Sequence, residues 1–375
     1  MILTVNKEQL LDALSLAMRA VSVRSTVSIL ECILLTATDD GAITLSGNDK
    51  ELAINTTPIT AEVDEPGSIA LDAKLFSDII RKMTSDSVHI ETDDKFNAVV
   101  KSGRSRLKIS GHPADEFPLV PENELENVKS RFQIKSPVLK EMIRQTIFSV
   151  SIDQSKLVLT GELFEIKDSV LQLVAIDMFR ISYRSEGIEE GAADGKAVVP
   201  GKALNELNKI LSTDENEMVS LFFTENKAVF ETSSFRLVSS LLTGDFIRYD
   251  QIFNEDFTTM IIVDRAQLLG VFERAVLVAM ENRMLPVKMD IQDDDVSISA
   301  QSDRGLIEDG VPCESEGKDL TIYFNPRYFI EALKAIEDER VVMKFNTTLS
   351  PCTIRGTDDA SGFKYLIVPL KPPSV

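Results

Sequence analysis

The sequence predicts an α+β protein built from three tandem copies of one module. Each copy has two helices and about eight strands, with the helices on one face of antiparallel sheets. Three observations carry this reading. Amphipathic helices recur: Leu10, Leu139 and Leu268 hold matching places in LLDALSLAMRAVS, LKEMIRQTIFSVS and LLGVFERAVLVAM, 129 residues apart. Second helices keep step, with Leu75 and Leu204 129 residues apart and Leu204 and Phe329 125 apart. Asp49, Asp177 and Asp303, each following an early hairpin, are separated by 128 and 126. This period far exceeds the roughly 20–50 residues of solenoid repeats and marks duplicated domains. A chain of 375 residues divides into three units of ordinary domain size, with expected limits 1–123, 124–252 and 253–375.

The first module opens with a strand from Met1 to Val5 and a helix from Lys7 to about Val21. ILECILLT at Ile29–Thr36 reads as an apolar strand, and Asp39-Asp40-Gly41 as a hairpin turn into Ala42–Ser46. Strands are expected at Leu52–Thr57 and Ile59–Val63, then a turn at Pro66-Gly67. Asp72 caps a helix to Met83. Val88–Thr92, Ala98–Lys101 and Arg106–Ser110 alternate in the period-2 manner of half-buried sheet, and the proline-marked stretch His112–Asn127 reads as a linker.

The second module begins with KSPVLKEMIRQTIFSV, Lys135–Val150. Its apolar residues Leu139, Met142, Ile143, Ile147 and Val150 lie at helical spacing, with Ser136 as the expected N-cap and Pro137 at the first helical position. Strands Leu157–Ile166 and Val170–Ile176, a helix Pro200–Leu211, and strands Val219–Phe223, Ala228–Glu231 and Phe235–Leu241 follow. Asp245–Asp256 is the second linker. The third module has helix Asp264–Met280, strands Val287–Ile291 and Val296–Ala300, and a helix Asn325–Glu337 with Pro326 at its start. Strands Val341–Asn346, Cys352–Arg355 and Phe363–Leu370 close it.

Composition excludes several classes. Hydrophobic residues at 43% and charged residues at 27% describe a globular protein rather than a disordered one. No apolar run approaches the roughly 20 residues of a membrane span, and MILTVNKEQLL does not read as a secretion signal. Cys32, Cys313 and Cys352 have no metal-ligand or disulfide spacing, which fits a reducing cytoplasm. The two histidines, His89 and His112, have no partnering pattern. Phosphate-loop, dinucleotide and nucleophile-elbow motifs are missing. Asp293-Asp294-Asp295 sits between two short strands and reads as a hairpin turn rather than a metal site. No cofactor, metal or catalytic residue is expected.

Net charge is −20, which taken alone argues against nucleic acid. Its distribution argues otherwise. The six helices with their flanks hold 16 basic and 11 acidic residues, a net +5, leaving −25 for the rest. A focused positive face on an anion-repelling body attracts phosphate at one place and rejects it elsewhere.

The tripled module, GRSRLKISG at Gly103–Gly111, HPADEFPLVP at His112–Pro121 and YLIVPLK at Tyr365–Lys371 together resemble the bacterial DNA polymerase III beta subunit family, the sliding clamps. The likeness covers the whole chain. It implies a DNA clamp fold in which two protomers close head to tail into a ring of six domains, with helices lining the hole. It implies a non-catalytic processivity factor that encircles duplex DNA without reading its sequence. Implied partners are the DNA polymerase III alpha subunit, a separate ATP-driven clamp loader, and other replication and repair proteins carrying clamp-binding peptides; no membrane is implied.

Site residues follow from the same resemblance. Lys7, Arg19, Arg24, Lys74, Arg81 and Lys140 would face the hole, with Arg144, Lys202, Lys209, Arg265, Arg274 and Lys334. Arg24, in VRSTVSIL, matches a DNA-contacting arginine of the family. Leu159, Ile176, Met178, Phe179, Arg180 and Ile181 match one wall of a peptide cleft. Ile247, Ile252, Asn325, Tyr328, Leu349 and Pro351 match further wall and rim positions, and Leu366, Ile367, Val368, Pro369 and Leu370 its floor. Met178-Phe179 stands where the family commonly has a small residue and His. Leu107 and Ile109 on an edge strand match one side of the dimer contact and Leu277 and Val278 the other, with Arg104 and Arg106 opposite Glu308 and Asp309. Two other classes remain open: a protein-only scaffold of the same fold, and an enzyme whose site assembles from scattered residues.

Overall fold

Every module begins with a strand that runs straight into a helix. The computed structural model describes residues 1–189, 192–249, 252–253, 256–279, 286–303, 305–358 and 362–372. In the first module β1 (Ile2–Asn6) leads into α1 (Lys7–Ala17). The Asn6 side chain caps the helix by accepting from the Glu8 and Gln9 amides at 2.9 and 3.2 Å. The α-helix stops at Ala17 and ends in a 3₁₀ turn, Met18–Ala20, short of Val21. Then come β2 (Cys32–Thr38), β3 (Ala42–Asn48), β4 (Leu52–Thr56), β5 (Ile59–Glu65) and β6 (Gly67–Asp72). The β2–β3 turn is Asp39-Asp40-Gly41 as expected, with Gly41 at φ +76°. The expected start of β2 at Ile29 is instead a 3₁₀ turn, Ser28–Glu31. Helix α2 (Ala73–Lys82) is capped by Asp72, which accepts from the Leu75 amide at 2.7 Å. β7 (Ser87–Thr92), β8 (Asn97–Ser102) and β9 (Ser105–His112) complete the module.

The second module runs β10 (Ser130–Lys135), α3 (Ser136–Thr146), β11 (Gly161–Lys167), β12 (Val170–Ile176), β13 (Arg180–Gly187), β14 (Gly195–Pro200), α4 (Gly201–Ile210), β15 (Met218–Phe223), β16 (Lys227–Glu231) and β17 (Phe235–Ser240). The third runs β18 (Thr259–Asp264), α5 (Arg265–Ala279), β19 (Val287–Gln292), β20 (Asp295–Ser302), β21 (Gly305–Gly317), β22 (Leu320–Phe324), α6 (Pro326–Ala335), β23 (Arg340–Phe345), β24 (Cys352–Gly356) and β25 (Phe363–Ile367). The expected helix end at Met280 and the tail Pro373–Val375 lie outside the described residues, as do parts of the second linker.

Several expectations need correction. Strands β6, β10, β13, β14, β18, β21 and β22 were not legible. β10 and β18 are short strands fused to the helix that follows, and β21 is mostly exposed, so it carries little apolar alternation. The stretch before Gly161 is 3₁₀, not strand. Ser136 does not cap α3: it is fully buried inside the first turn, and its hydroxyl donates to the Ser212 carbonyl at 3.1 Å. The final strand ends at Ile367, not Leu370. The second helices begin at Ala73, Gly201 and Pro326, so the residue equivalent to Leu204 and Phe329 is Phe76 rather than Leu75. Burial agrees: Phe76, Leu204 and Phe329 are fully buried, whereas Leu75 is 49% exposed.

All strand pairs are antiparallel and form two sheets. One has the order β10-β15-β16-β17-β4-β3-β2-β6-β9-β8-β7-β1-β5, the other β14-β11-β12-β13-β25-β24-β23-β18-β21-β20-β19-β22. The second module therefore contributes four strands to each. Each sheet is the backbone of its own compact unit. In the first module Leu10 and Leu14 of α1 and Phe76 and Ile80 of α2 share one core with Ile33, Leu35 and Ile43 of the strands. In the third, Leu268 and Phe272 of α5 and Phe329 and Leu333 of α6 do the same, with the Phe272 and Phe329 rings stacked at 4.6 Å. Two of the repeated aspartates, Asp49 and Asp177, have one job. Asp49 Oδ1 accepts from the Glu51 and Leu52 amides, and Asp177 Oδ1 from those of Phe179 and Arg180, shaping the same turn between neighbouring strands.

Candidate functional site

The basic helix residues are mostly engaged. Arg19 and Lys209 both reach Glu206, at 3.2 and 2.6 Å. Lys202 binds Asp49 at 2.6 Å; burial pushes its pKa down most strongly, but the Asp49 bond and the charges of Asp49, Glu51 and Glu206 together outweigh that and raise it. Arg81 pairs with Asp78, Arg274 with Asp309, and Lys334 with Glu273. Lys7 donates to the Met83 carbonyl at 2.6 Å and Arg265 to that of Asp338 at 2.9 Å. Arg144 is tied most firmly. Its guanidinium binds Glu141 and Glu337 and the Lys334 and Ala335 carbonyls at the end of α6, and the Glu141 bond raises its pKa. Arg24 and Lys74 are exposed and have no ion pair among the described residues; Lys140 lies half-exposed on α3. Exposed pairs of this kind are worth little, about 0–1 kcal/mol each.

The expected cleft residues fall into two groups. Leu159, Ile176, Ile181, Leu366 and Ile367 are buried. All but Ile367 belong to an apolar cluster that also takes Leu163, Val174 and Tyr249, against which Phe246, Ile252, Phe253 and Val368 pack. Met178 (64% exposed), Leu349 (72%), Phe179 and Ile247 are the side chains held out to solvent. Ile252, Pro351 and Leu366 line a cavity of about 220 Å³ together with Asp256, Lys344 and Asn346, three polar residues that no sequence motif singles out. Arg180, expected as a polar end to the cleft, is instead an internal tie. Its guanidinium binds Asp177 at 2.9 Å, Glu331 and the Phe148 carbonyl, and lies 4.6 Å from the centre of the Tyr328 ring. Phe179 stacks on Tyr328 as well, with ring centres 6.2 Å apart. Asn325 caps α6 by accepting from the Arg327 amide. Beyond β25, the Val368 amide donates to the Phe179 carbonyl and that of Leu370 to Tyr323, holding Val368, Pro369 and Leu370 half-exposed.

Besides the strands that end each sheet, β9 and β21 leave part of one edge unpaired among the described residues. β9 pairs with β8 over Asn97–Ser110 but meets β6 only at Gly111 and His112, so Ser105–Ser110 is open along its other edge. β21 pairs with β18 only at Cys313–Gly317, so its first half, Gly305–Pro312, has β20 alone. Leu107 and Leu277 are exposed near these edges, and Arg104 and Arg106 are exposed on and before β9. Ile109 is not available for contact, because it is buried in the first module's core; Val278 packs partly against the third. Leu306, 61% exposed on β21, was missed. No local signal finds it, because mostly exposed β21 carries little apolar alternation. Asp309 is held by Arg274 at 2.6 Å, which lowers its pKa, and Glu308 is exposed beside it.

Among the described residues no group of three His, Cys, Asp or Glu side chains is placed to hold a metal ion. His89 is a sheet residue whose Nδ1 lies 3.0 Å from the Thr4 hydroxyl. Asp294 closes the β19–β20 turn and accepts from Ser315, whose hydroxyl and amide lower its pKa.

Comparison with known proteins is consistent along the whole chain. Residues 1–121, 133–247 and 250–371 match the family models of the N-terminal, central and C-terminal domains of the DNA polymerase III beta subunit. The beta sliding clamp of Bacillus subtilis is 31% identical over 98% of this chain and 99% of its own. The crystal structure of a putative DNA polymerase III beta subunit from Eubacterium rectale is 36% identical, with a TM-score of 0.93 over 99% of both chains. A Pseudomonas aeruginosa sliding clamp bound to griselimycin is 26% identical, with a TM-score of 0.92 over 99% of this chain and 100% of that one.

Proposed function

The chain belongs to the DNA polymerase III beta subunit family, and on that premise we propose that two copies close head to tail into a ring around duplex DNA. The protein is a sliding clamp and not an enzyme. The observation that carries the ring is a repeated junction. Between the first and second modules β17 lies on β4, with Ser239 opposite Leu52, Leu237 opposite Ile54 and Phe235 opposite Thr56. Between the second and third, β25 lies on β13, with Ile367 opposite Arg180, Tyr365 opposite Ser182 and Phe363 opposite Arg184. The third pair in this series is β9 and β21, each partly unpaired along one edge among the described residues. The shared register, carried over strand by strand, puts Ile109 opposite the partner's Gly305, Leu107 opposite the partner's Ile307, and Arg106 opposite the partner's Glu308. Opposite charges thus meet across the join, and the aggregation hazard of two bare edges is removed.

In this reading the three clamp domains span 1–123, 124–252 and 253–375, and the helices turn inward. Arg24 and Lys74 offer unpaired charge, while Lys7, Arg19, Arg81, Lys140, Arg144, Lys202, Lys209, Arg265, Arg274 and Lys334 supply a background that weak pairs leave exchangeable. Few short directional contacts suit sliding, because charge attraction alone does not fix register. The polymerase alpha subunit, a clamp loader and other replication proteins dock through peptides on Met178, Phe179, Ile247 and Leu349, with Ile252, Pro351 and Leu366 at the cavity beneath. The griselimycin complex of the P. aeruginosa clamp supports a ligand-binding site on this fold. Light scattering is expected to give a dimer at micromolar concentration; a strict monomer sinks the ring. Loader-dependent retention on nicked circular but not linear DNA separates a clamp from a protein-only scaffold.

A further inference from the structure

Two places in this chain are related by the repeat, and one is filled where the other is open. Arg144 stands five residues after Leu139 on α3. Its guanidinium occupies the end of α6, bound to Glu141 at 2.6 Å, to the Lys334 and Ala335 carbonyls at 3.3 and 3.0 Å, and to Glu337 at 3.2 Å. Those carbonyls are among the acceptors a helix leaves unsatisfied at its negative end. On α1 the residue five after Leu10 is Ser15. Asp12 stands where Glu141 does, and Ile210 and Ser212 at the end of α4 stand where Ala335 and Glu337 do. With a serine in place of the arginine, a cavity of about 320 Å³ remains, lined by Asp12, Ser15, Leu16, Ile210, Glu217 and Phe235 among others. No basic side chain lines it. Among the described residues Asp12 has no ion pair, and Glu217 Oε1 accepts from the Ser233 amide and hydroxyl alone.

We propose that this cavity is a binding site for a guanidinium group, presented by a free small molecule or by an arginine side chain of a partner. The chain itself supplies the template, since Arg144 fills the equivalent space with that group. Two carboxylates and a helix C-terminus call for positive charge. The planar, multi-donor guanidinium matches carboxylate and carbonyl acceptors together, and its weakly hydrated faces suit Leu16, Ile210 and Phe235. A lysine-type ammonium is a compact, strongly hydrated point charge that matches this lining less well. The inference does not depend on ring closure or on DNA.

The test is calorimetric titration of the full-length protein with agmatine, with 1,5-diaminopentane as a cation of similar length lacking the guanidinium. Agmatine is expected to bind about tenfold more tightly than the diamine, a difference of about 1.4 kcal/mol. Asp12→Asn should weaken agmatine at least about fivefold, and Ser15→Arg, which brings the chain's own guanidinium into the cavity, should abolish binding and raise Tm. Equal affinity for the two cations, or agmatine affinity unchanged in Asp12→Asn, overturns the proposal, and Asp12→Asn decides it if Ser15→Arg does not fold. A capped Gly-Arg-Gly peptide distinguishes the sources. If it binds as well as agmatine, the site admits a partner's arginine; if agmatine alone binds, the ligand is a free guanidinium compound.

Discussion

Glu162 stands second in β11, the place Ile33 holds in β2. It is fully buried, and neither carboxyl oxygen has a hydrogen-bond partner among the described residues; the hydroxyl of Thr146 beside it is committed to the Met142 carbonyl at 2.7 Å. Burial pushes its pKa up to about 8 from an ordinary 4.5. Between those values the unfolded chain has released the proton that the folded chain keeps, so stability falls as pH rises from about 4.5 to about 8. Glu162→Ile should therefore stabilise the protein by a few kcal/mol more at pH 8 than at pH 5, at about 1.4 kcal/mol per pH unit. Thermal unfolding at the two pH values reads this; a gain independent of pH would show that Glu162 is not held protonated. At the cleft, Met178→Ala with Leu349→Ala removes two solvent-facing apolar side chains without touching the core. Fluorescence anisotropy with a labelled clamp-binding peptide should show about tenfold weaker binding. Unchanged affinity would place the peptide elsewhere. Met178 and Leu349 were legible only through family likeness, because nothing local distinguishes an exposed methionine from a buried one.

At the level of elements, helix caps were partly readable. Asp72 and Asn325 cap as their residue types predict, and Asp72→Ala should cost about 1 kcal/mol in chemical denaturation. Ser136 looked the same in sequence, yet a strand leads into its helix directly and its hydroxyl is spent on Ser212. Arg144 ties α3 to the end of α6, so Arg144→Ala should destabilise by about 2 kcal/mol, the scale of lost charged hydrogen bonds. A loss within error would mean that water replaces the tie. The bare half of β9 offers the sharpest element-scale test. Arg106→Glu faces the partner's Glu308 in the shared register and should shift the protein from dimer to monomer at micromolar concentration. A dimer of unchanged stability in sedimentation would exclude that register.

For the whole molecule, charge distribution matters more than total charge. A body at −20 repels DNA, and most helix cations already have acidic neighbours. Affinity for DNA is therefore expected to be low and salt-sensitive, and retention to come from topology. Reversing Arg24 and Lys74, which carry no ion pair among the described residues, should shorten residence of the loaded protein on nicked circular DNA. Residence unchanged at low salt would remove both from the lining. Junction construction also belongs to this scale: β4 with β17 and β13 with β25 repeat one register, and only that repetition gives meaning to the open edges of β9 and β21, far apart in sequence.

The sequence by itself determined the threefold period, the six helices and their start positions to within a residue or two, the early hairpin turns, and the lack of a catalytic or metal motif. These are local quantities, written in periodicity and in turn and cap chemistry. Tertiary structure alone decided the rest. It showed that Phe76, not Leu75, faces the core, that Ile109 is spent on packing, that Arg180 points inward, and that β21 exists with Leu306 exposed on it. It also distributed the second module's strands between two sheets. Strand pairing and burial are settled by residues far apart in sequence, so a strand one residue long or short, or an apolar side chain on either face, reads the same until its neighbours are in place.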